Sequence, residues 1–243
     1  KQQNEPVGQQ ALSTAQAQAL QRAVGLDAAG QTSQATEIYQ QILAEVPNQP
    51  DALLLLGMQT RLAGDFQTAA DLISRSISVE PNFAEAHNQL GSALVGLGQT
   101  EDAVASFRRS LLLMPENAET HNHLGNALKD LKHYQEAASS YQNALAIKPD
   151  DVGILVNLGI AQKALGLYED AVTSYQKALA VNPMQSVAYV NLGNVLKEMG
   201  DWAGALSHYQ QAVSLAPDSA ASLKNLGVCQ LLMGDYRSGW SNY

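Results

Sequence analysis

Apolar residues in this chain fall into short blocks at helical spacing, and the blocks recur. Between residues 118 and 151, Leu124, Ala127, Leu128 and Leu131 stand three and four apart. After a polar break, Ala137, Tyr141, Ala144 and Leu145 do the same. Each set marks one apolar stripe along a helix, A and then B. The pair returns every 34 residues: Gly57, Gly91, Gly125, Gly159, Gly193 and Gly227 mark helix A, and Pro47, Pro81, Pro115, Pro149, Pro183 and Pro217 follow helix B. The units run 16–49, 50–83, 84–117, 118–151, 152–185, 186–219 and, incomplete, 220–243. Self-similarity at this period predicts an all-α solenoid of about seven helix hairpins, the last one truncated.

Local chemistry agrees with the period. Gly64, Gly98, Gly166, Gly200 and Gly234 separate A from B, where the residue past a helix end commonly needs a positive φ. Lys132 breaks that row, so the turn of unit 118–151 is expected to be strained or differently shaped. Acids such as Glu101, Asp102, Glu169 and Asp170 open helix B and suit its positive end. Twelve residues after each helix A glycine comes a small residue (Ala69, Ala103, Ala137, Ala171, Ala205), and four later a bulky one: Ile73, Phe107, Tyr141, Tyr175, Tyr209. Close approach of the two backbones, with the bulky side chain beside the gap, is the expected core.

With its Leu-Gly pairs at 90–91, 124–125, 158–159, 192–193 and 226–227, this pattern resembles the tetratricopeptide repeat family over residues 16–243. The first unit departs from it, with Arg22 and Ala23 in place of Leu-Gly. The resemblance implies hairpins stacked into a right-handed superhelix, helix A on the concave side and helix B on the convex side. Residues 1–15, rich in Gln and Ala, precede the repeats as a tail or a capping helix.

The glycine sets the phase of helix A. Two residues before it stand Gln89, His123, Asn157, Asn191 and Asn225. Just after it stand Ser92, Asn126 and Asn194, and four after it Lys129, Lys163 and Lys197. Residues three or four apart share a helical face, so a row of amides flanked by cations is expected in the groove. An amide both donates and accepts, and a ladder of amides suits the backbone of an extended peptide; lysines add attraction for acidic or phosphorylated segments. Two plainer alternatives remain: the asparagines tie neighbouring helices together, and the lysines are solvated surface. The row, through Asn157-Leu158-Gly159 and Asn191-Leu192-Gly193-Asn194 with Lys197, resembles the superhelix of O-linked N-acetylglucosamine transferases. There, an asparagine ladder presents protein substrates to a glycosyltransferase domain. The run from Gly234 to Tyr243 resembles the junction leading into such a domain in bacterial arrays. The chain begins at Lys1 and stops inside a helix without a polar cap, so it is expected to be a fragment with more protein after Tyr243. In the second unit, Leu54, Leu55, Met58 and Leu62 are expected to form an apolar contact patch facing the groove.

Net charge is −9, which argues against a nucleic-acid partner. No apolar run is long enough to insert in a membrane, and no signal peptide is visible, which suggests a cytoplasmic place. His87, His121, His123 and His133 are not spaced as metal ligands, Cys229 suits a packing role, and no nucleophile or phosphate-loop motif is present. The expectation is a non-enzymatic chain without cofactor or metal that binds a protein or peptide, with self-association through the ends of the stack. Two functions compete: the substrate-recognition arm of a larger glycosyltransferase, and a stand-alone scaffold for a secretion, pilus or envelope assembly. A chaperone adaptor would need polar residues where Val156, Val187 and Val190 stand.

Overall fold

The computed structural model describes residues 12–243. The expectation for residues 1–15 falls largely outside them: Leu12 and Ser13 precede a helix that opens at Thr14. Among the described residues there are fourteen α-helices and no strand. The chain divides into two compact units, Lys1–Glu116 and Asn117–Tyr243.

The first unit holds α1 (Thr14–Ala28), α2 (Thr32–Glu45), α3 (Pro50–Leu62), α4 (Phe66–Val79), α5 (Ala84–Gly96) and α6 (Thr100–Leu113). They pack as successive antiparallel pairs, α1 with α2, α3 with α4 and α5 with α6, each pair against the next. A capping box opens α1: Ser13 Oγ accepts from the Gln16 N–H, while the Gln16 side chain accepts from the Ser13 N–H. Where the first repeat lacks Leu-Gly, polar groups tie its helices to one another and to α3. Asp27 accepts from Tyr39 Oη at 3.3 Å and from Gln59 Nε2 at 2.7 Å, and Gln59 Oε1 accepts from Thr36 at 2.5 Å.

The second unit holds α7 (Ala118–Asp130), α8 (Tyr134–Ile147), α9 (Val152–Ala164), α10 (Tyr168–Val181), α11 (Ser186–Glu198), α12 (Trp202–Leu215), α13 (Ala220–Leu232) and the short α14 (Tyr236–Asn242), paired in the same way. One core cluster runs through α9, α10 and α11, from Leu155 and Val156 through Ala171 and Tyr175 to Leu192 and Val195. Asn117, Asp151, Asp201, Ser219 and Asp235 cap helix starts with their side chains.

At Gly91, Gly125, Gly159 and Gly193 the glycine of helix A makes room for an aromatic ring, at Gly57 for Ile73, and at Gly227 for the backbone of the second helix, the close approach expected from the sequence. A β-carbon at Gly125 would lie 2.5 Å from Tyr141 Cε1, and one at Gly159 at the same distance from Tyr175 Cε1. Tyr39, Tyr141, Tyr175 and Tyr209 are completely buried, which makes them the largest apolar anchors of their hairpins. Lys132 adopts φ 63°, the same left-handed conformation as the glycines of the other turns. Its turn keeps their hydrogen bonds as well: Lys132 N donates to Lys129 O and His133 N to Leu128 O, as Gly166 and Leu167 do to Lys163 and Gln162. The turn is therefore strained but not reshaped.

Candidate peptide-binding face

In the second unit, the first helices of the hairpins (α7, α9, α11 and α13) carry the expected amides and lysines. Asn126, Asn157, Asn191, Asn194 and Asn225 are all half-buried, as are Lys129, Lys163 and Lys197. The buried tyrosines explain how several amides are held. Tyr141 Oη donates to Asn126 Oδ1 at 2.8 Å, and Asn157 Nδ2, from the next hairpin, donates to the same oxygen at 3.2 Å. Tyr209 Oη donates to Asn194 Oδ1 at 2.8 Å. Each is a rung: a ring fills the space beside the glycine, and its hydroxyl finds an acceptor on the following residue of helix A. Burial pushes the Tyr209 phenol up to about 12 and raises Tyr141 and Tyr175 further, so all are neutral donors at physiological pH.

One rung is missing. In the hairpin α9–α10 the place of Asn126 is taken by Ile160, and Tyr175 Oη is buried with no hydrogen-bond partner. The third hairpin avoids the problem, because its ring belongs to Phe107; there Ser92 turns back to the carbonyl of Asn88 on its own helix.

The remaining members of the row differ. Among the described residues, the Asn191 and Asn225 side chains find no hydrogen-bond partner. Lys163 Nζ lies 3.5 Å from Glu198 Oε1 on α11, joining two hairpins. His123 is half-buried, with Nε2 3.9 Å from Glu119 Oε1. Gln89, in the first unit, departs from the expectation: it is buried, and its Nε2 donates to Glu85 at 2.6 Å, one turn back along α5.

The apolar patch expected from Leu54, Leu55, Met58 and Leu62 is not a single surface. Leu54 is buried with Ile73 and Ala86, and Met58 packs on that cluster. Leu55 packs on the cluster of Ala23, Ala35 and Tyr39. Only Leu62 is largely exposed, at 76%. The reason is that α3 lies between two neighbours, α2 on one flank and α4 with α5 on the other, so two of its stripes become core. In the last hairpin Val228 and Leu231 are half-buried and Leu232 exposed. His87 Nε2 lies 3.0 Å from Pro81 O, a packing role; among the described residues no group of His, Cys, Asp or Glu is placed to hold a metal. Cys229 is buried against the carbonyl of Trp202.

Sequence reasoning missed the tyrosine hydroxyls as the holders of Asn126 and Asn194. The signal was present: asparagine follows the glycine in units 118–151 and 186–219, and in both the ring fifteen residues on is a tyrosine. It missed Glu198 as the partner of Lys163 because the pair spans two hairpins.

Models described as "Tetratricopeptide repeat" match residues 20–82, 84–117 and 184–238, and one described as "TPR repeat" matches 125–166 and 163–200. No curated protein matches the chain in sequence. Many solved structures share its fold. A tetratricopeptide repeat protein from Parabacteroides merdae is 18% identical, with TM-score 0.71, over 95% of this chain and 91% of its own. PilW, described as a widely conserved type IV pilus biogenesis factor, is 21% identical with TM-score 0.71, over 79% of this chain and 90% of its own. YrrB, described as a TPR protein with an unusual peptide-binding site, is 18% identical with TM-score 0.69, over 77% of this chain and 97% of its own.

Proposed function

The chain belongs to the tetratricopeptide repeat family, and from that premise we propose that it is a non-catalytic protein-interaction module gripping an extended peptide across the first-helix face of its second unit. The observation that carries this reading is the row of half-buried amides and lysines on α7, α9 and α11, set on helices whose packing is fixed by completely buried tyrosines. Such a face offers polar groups at fixed positions with little left to order on binding, which favours affinity. Successive helices pack about 8–10 Å apart and an extended chain advances about 3.3 Å per residue, so the peptide meets a new helix about every third residue.

Panning of a displayed peptide library against the chain tests the reading. Selected peptides should lose binding to Asn191→Trp, which fills the face on α11, and keep it with Lys177→Trp, at an exposed position of α10. Selected peptides indifferent to the first substitution would refute the groove.

Within this role, the Asn-Leu-Gly-Asn and lysine pattern supports the arm of a larger glycosyltransferase that receives protein substrates. The likeness to PilW supports a second reading, a scaffold for a multiprotein assembly. A glycosyltransferase domain encoded directly after Tyr243 would decide for the arm; a gene without one would decide for the scaffold.

A further inference from the structure

The rungs decide which half of each amide the groove receives. An amide oxygen has two acceptor positions. On Asn126 both are taken, one by Tyr141 Oη and one by Asn157 Nδ2. The Asn126 NH2 group therefore lies away from the core. On Asn194 the oxygen is held by Tyr209, and again the NH2 group remains. Asn157 spends one N–H on Asn126. Internal bonding thus takes acceptor positions on Asn126 and Asn194 and a donor on Asn157, whose oxygen stays free. Charge adds to this. Helices α9, α11 and α13 together carry Lys163, Lys197 and Lys224 against one carboxylate, Glu198, in a chain whose net charge is −9. Glu198 is already paired with Lys163, and the nearby Asp151 caps the Ile154 N–H. On α7 the balance differs, since Glu119 and Asp130 share the helix with Lys129, so the lysine-rich stretch begins at α9.

We infer that the segment bound across α9, α11 and α13 is an acidic extended peptide, its carboxylates meeting Lys163, Lys197 and Lys224 and its carbonyls meeting the Asn194 NH2 group. The inference rests on the groove reading and sharpens it: amides alone would be indifferent to peptide charge, and the surplus of lysines over carboxylates on these helices supplies the selection. Three helices span about 20 Å, or about six extended residues.

Fluorescence anisotropy tests it with three labelled peptides of about twelve residues: alternating Glu-Thr, its Gln-Thr isostere, and Lys-Thr. The Glu-Thr peptide should bind about tenfold more tightly than the Gln-Thr peptide at low salt, with the advantage shrinking as salt rises. Lys163→Gln, Lys197→Gln and Lys224→Gln combined should erase the advantage while leaving the weaker Gln-Thr binding. Asn194→Asp provides an independent variant: its carboxylate still accepts from Tyr209 but replaces the outward donors with a negative charge, so it should weaken both peptides and Glu-Thr the more. Circular dichroism checks that each variant is folded. Equal binding of Glu-Thr and Gln-Thr, or a preference for Lys-Thr, overturns the inference and leaves the groove reading standing. Failure of all three peptides to bind overturns both.

Discussion

The missing rung makes a stability prediction whose sign runs against ordinary expectation for a buried tyrosine. Tyr175 and Tyr141 are both completely buried beside a glycine, and their rings fill the same space. They differ in the hydroxyl: Tyr141 donates to Asn126 at 2.8 Å, while Tyr175 Oη is buried with no partner under Ile160. A buried polar group without a partner costs about 1–3 kcal/mol, whereas a made hydrogen bond contributes about 0.5–1.5 kcal/mol. Tyr→Phe keeps the ring in either case. Tyr175→Phe should therefore stabilise the protein, by about 1 kcal/mol or more, and Tyr141→Phe should destabilise it by about 1 kcal/mol. Ile160→Asn restores the acceptor but gives up a half-buried isoleucine worth about 1–2 kcal/mol, so alone it should be nearly neutral. Combined with Tyr175→Phe it should be plainly destabilising, a coupling of about 1 kcal/mol or more in a double-mutant cycle. Guanidinium denaturation followed by circular dichroism reads the order of midpoints. Tyr175→Phe, Ile160→Asn and their combination lie in the hairpin α9–α10 and Tyr141→Phe in the neighbouring α7–α8, so the cycle compares variants of one hairpin even if the repeat array unfolds in more than one step. Tyr175→Phe losing as much stability as Tyr141→Phe would refute the reasoning, because it would mean that the Tyr175 hydroxyl is satisfied.

Three other outcomes are expected. Lys132→Gly should stabilise by about 1 kcal/mol, measured by denaturation, because it relieves a left-handed φ of 63° while the turn hydrogen bonds stay in place. Gly125→Ala should destabilise by about 1–3 kcal/mol despite better helix propensity, since the added methyl would sit 2.5 Å from the Tyr141 ring; Gly153→Ala, where only a cap oxygen lies 3.3 Å away, should be neutral or stabilising. Stability should also fall between pH 10 and about 12. The Tyr39 phenol is raised to about 12 by burial and then by the Asp27 charge, and Tyr209 to about 12 chiefly by burial. The folded state thus holds protons that the unfolded state releases above pH about 10, and that stabilisation is lost as pH rises through this window. Phenolate absorbance recorded alongside circular dichroism should show ionisation and unfolding together.

Much of the architecture was legible in the chain because it is set by local chemistry. Apolar residues three and four apart call for helices, a glycine past the helix end supplies a positive φ, and a proline ends the second helix; these operate within a few residues and recur every 34. Lys132 shows how far this goes: it was visible as an exception, but that the turn keeps its shape depends on hydrogen bonds only the folded backbone displays. The candidate face was legible as a row of residue types but not as chemistry. Which atoms of Asn126 are already bonded depends on Tyr141, fifteen residues on, and on Asn157, thirty-one residues on. Likewise Leu54 and Met58 look like surface while α3 is taken alone and become core once α4 and α5 pack beside it. Helix periodicity needs only the chain's own backbone geometry, so sequence alone determined the repeat and its hairpins. Hydrogen bonds are directional and join groups far apart in sequence, so only the packed structure decided which donors and acceptors are consumed inside and which remain for a partner.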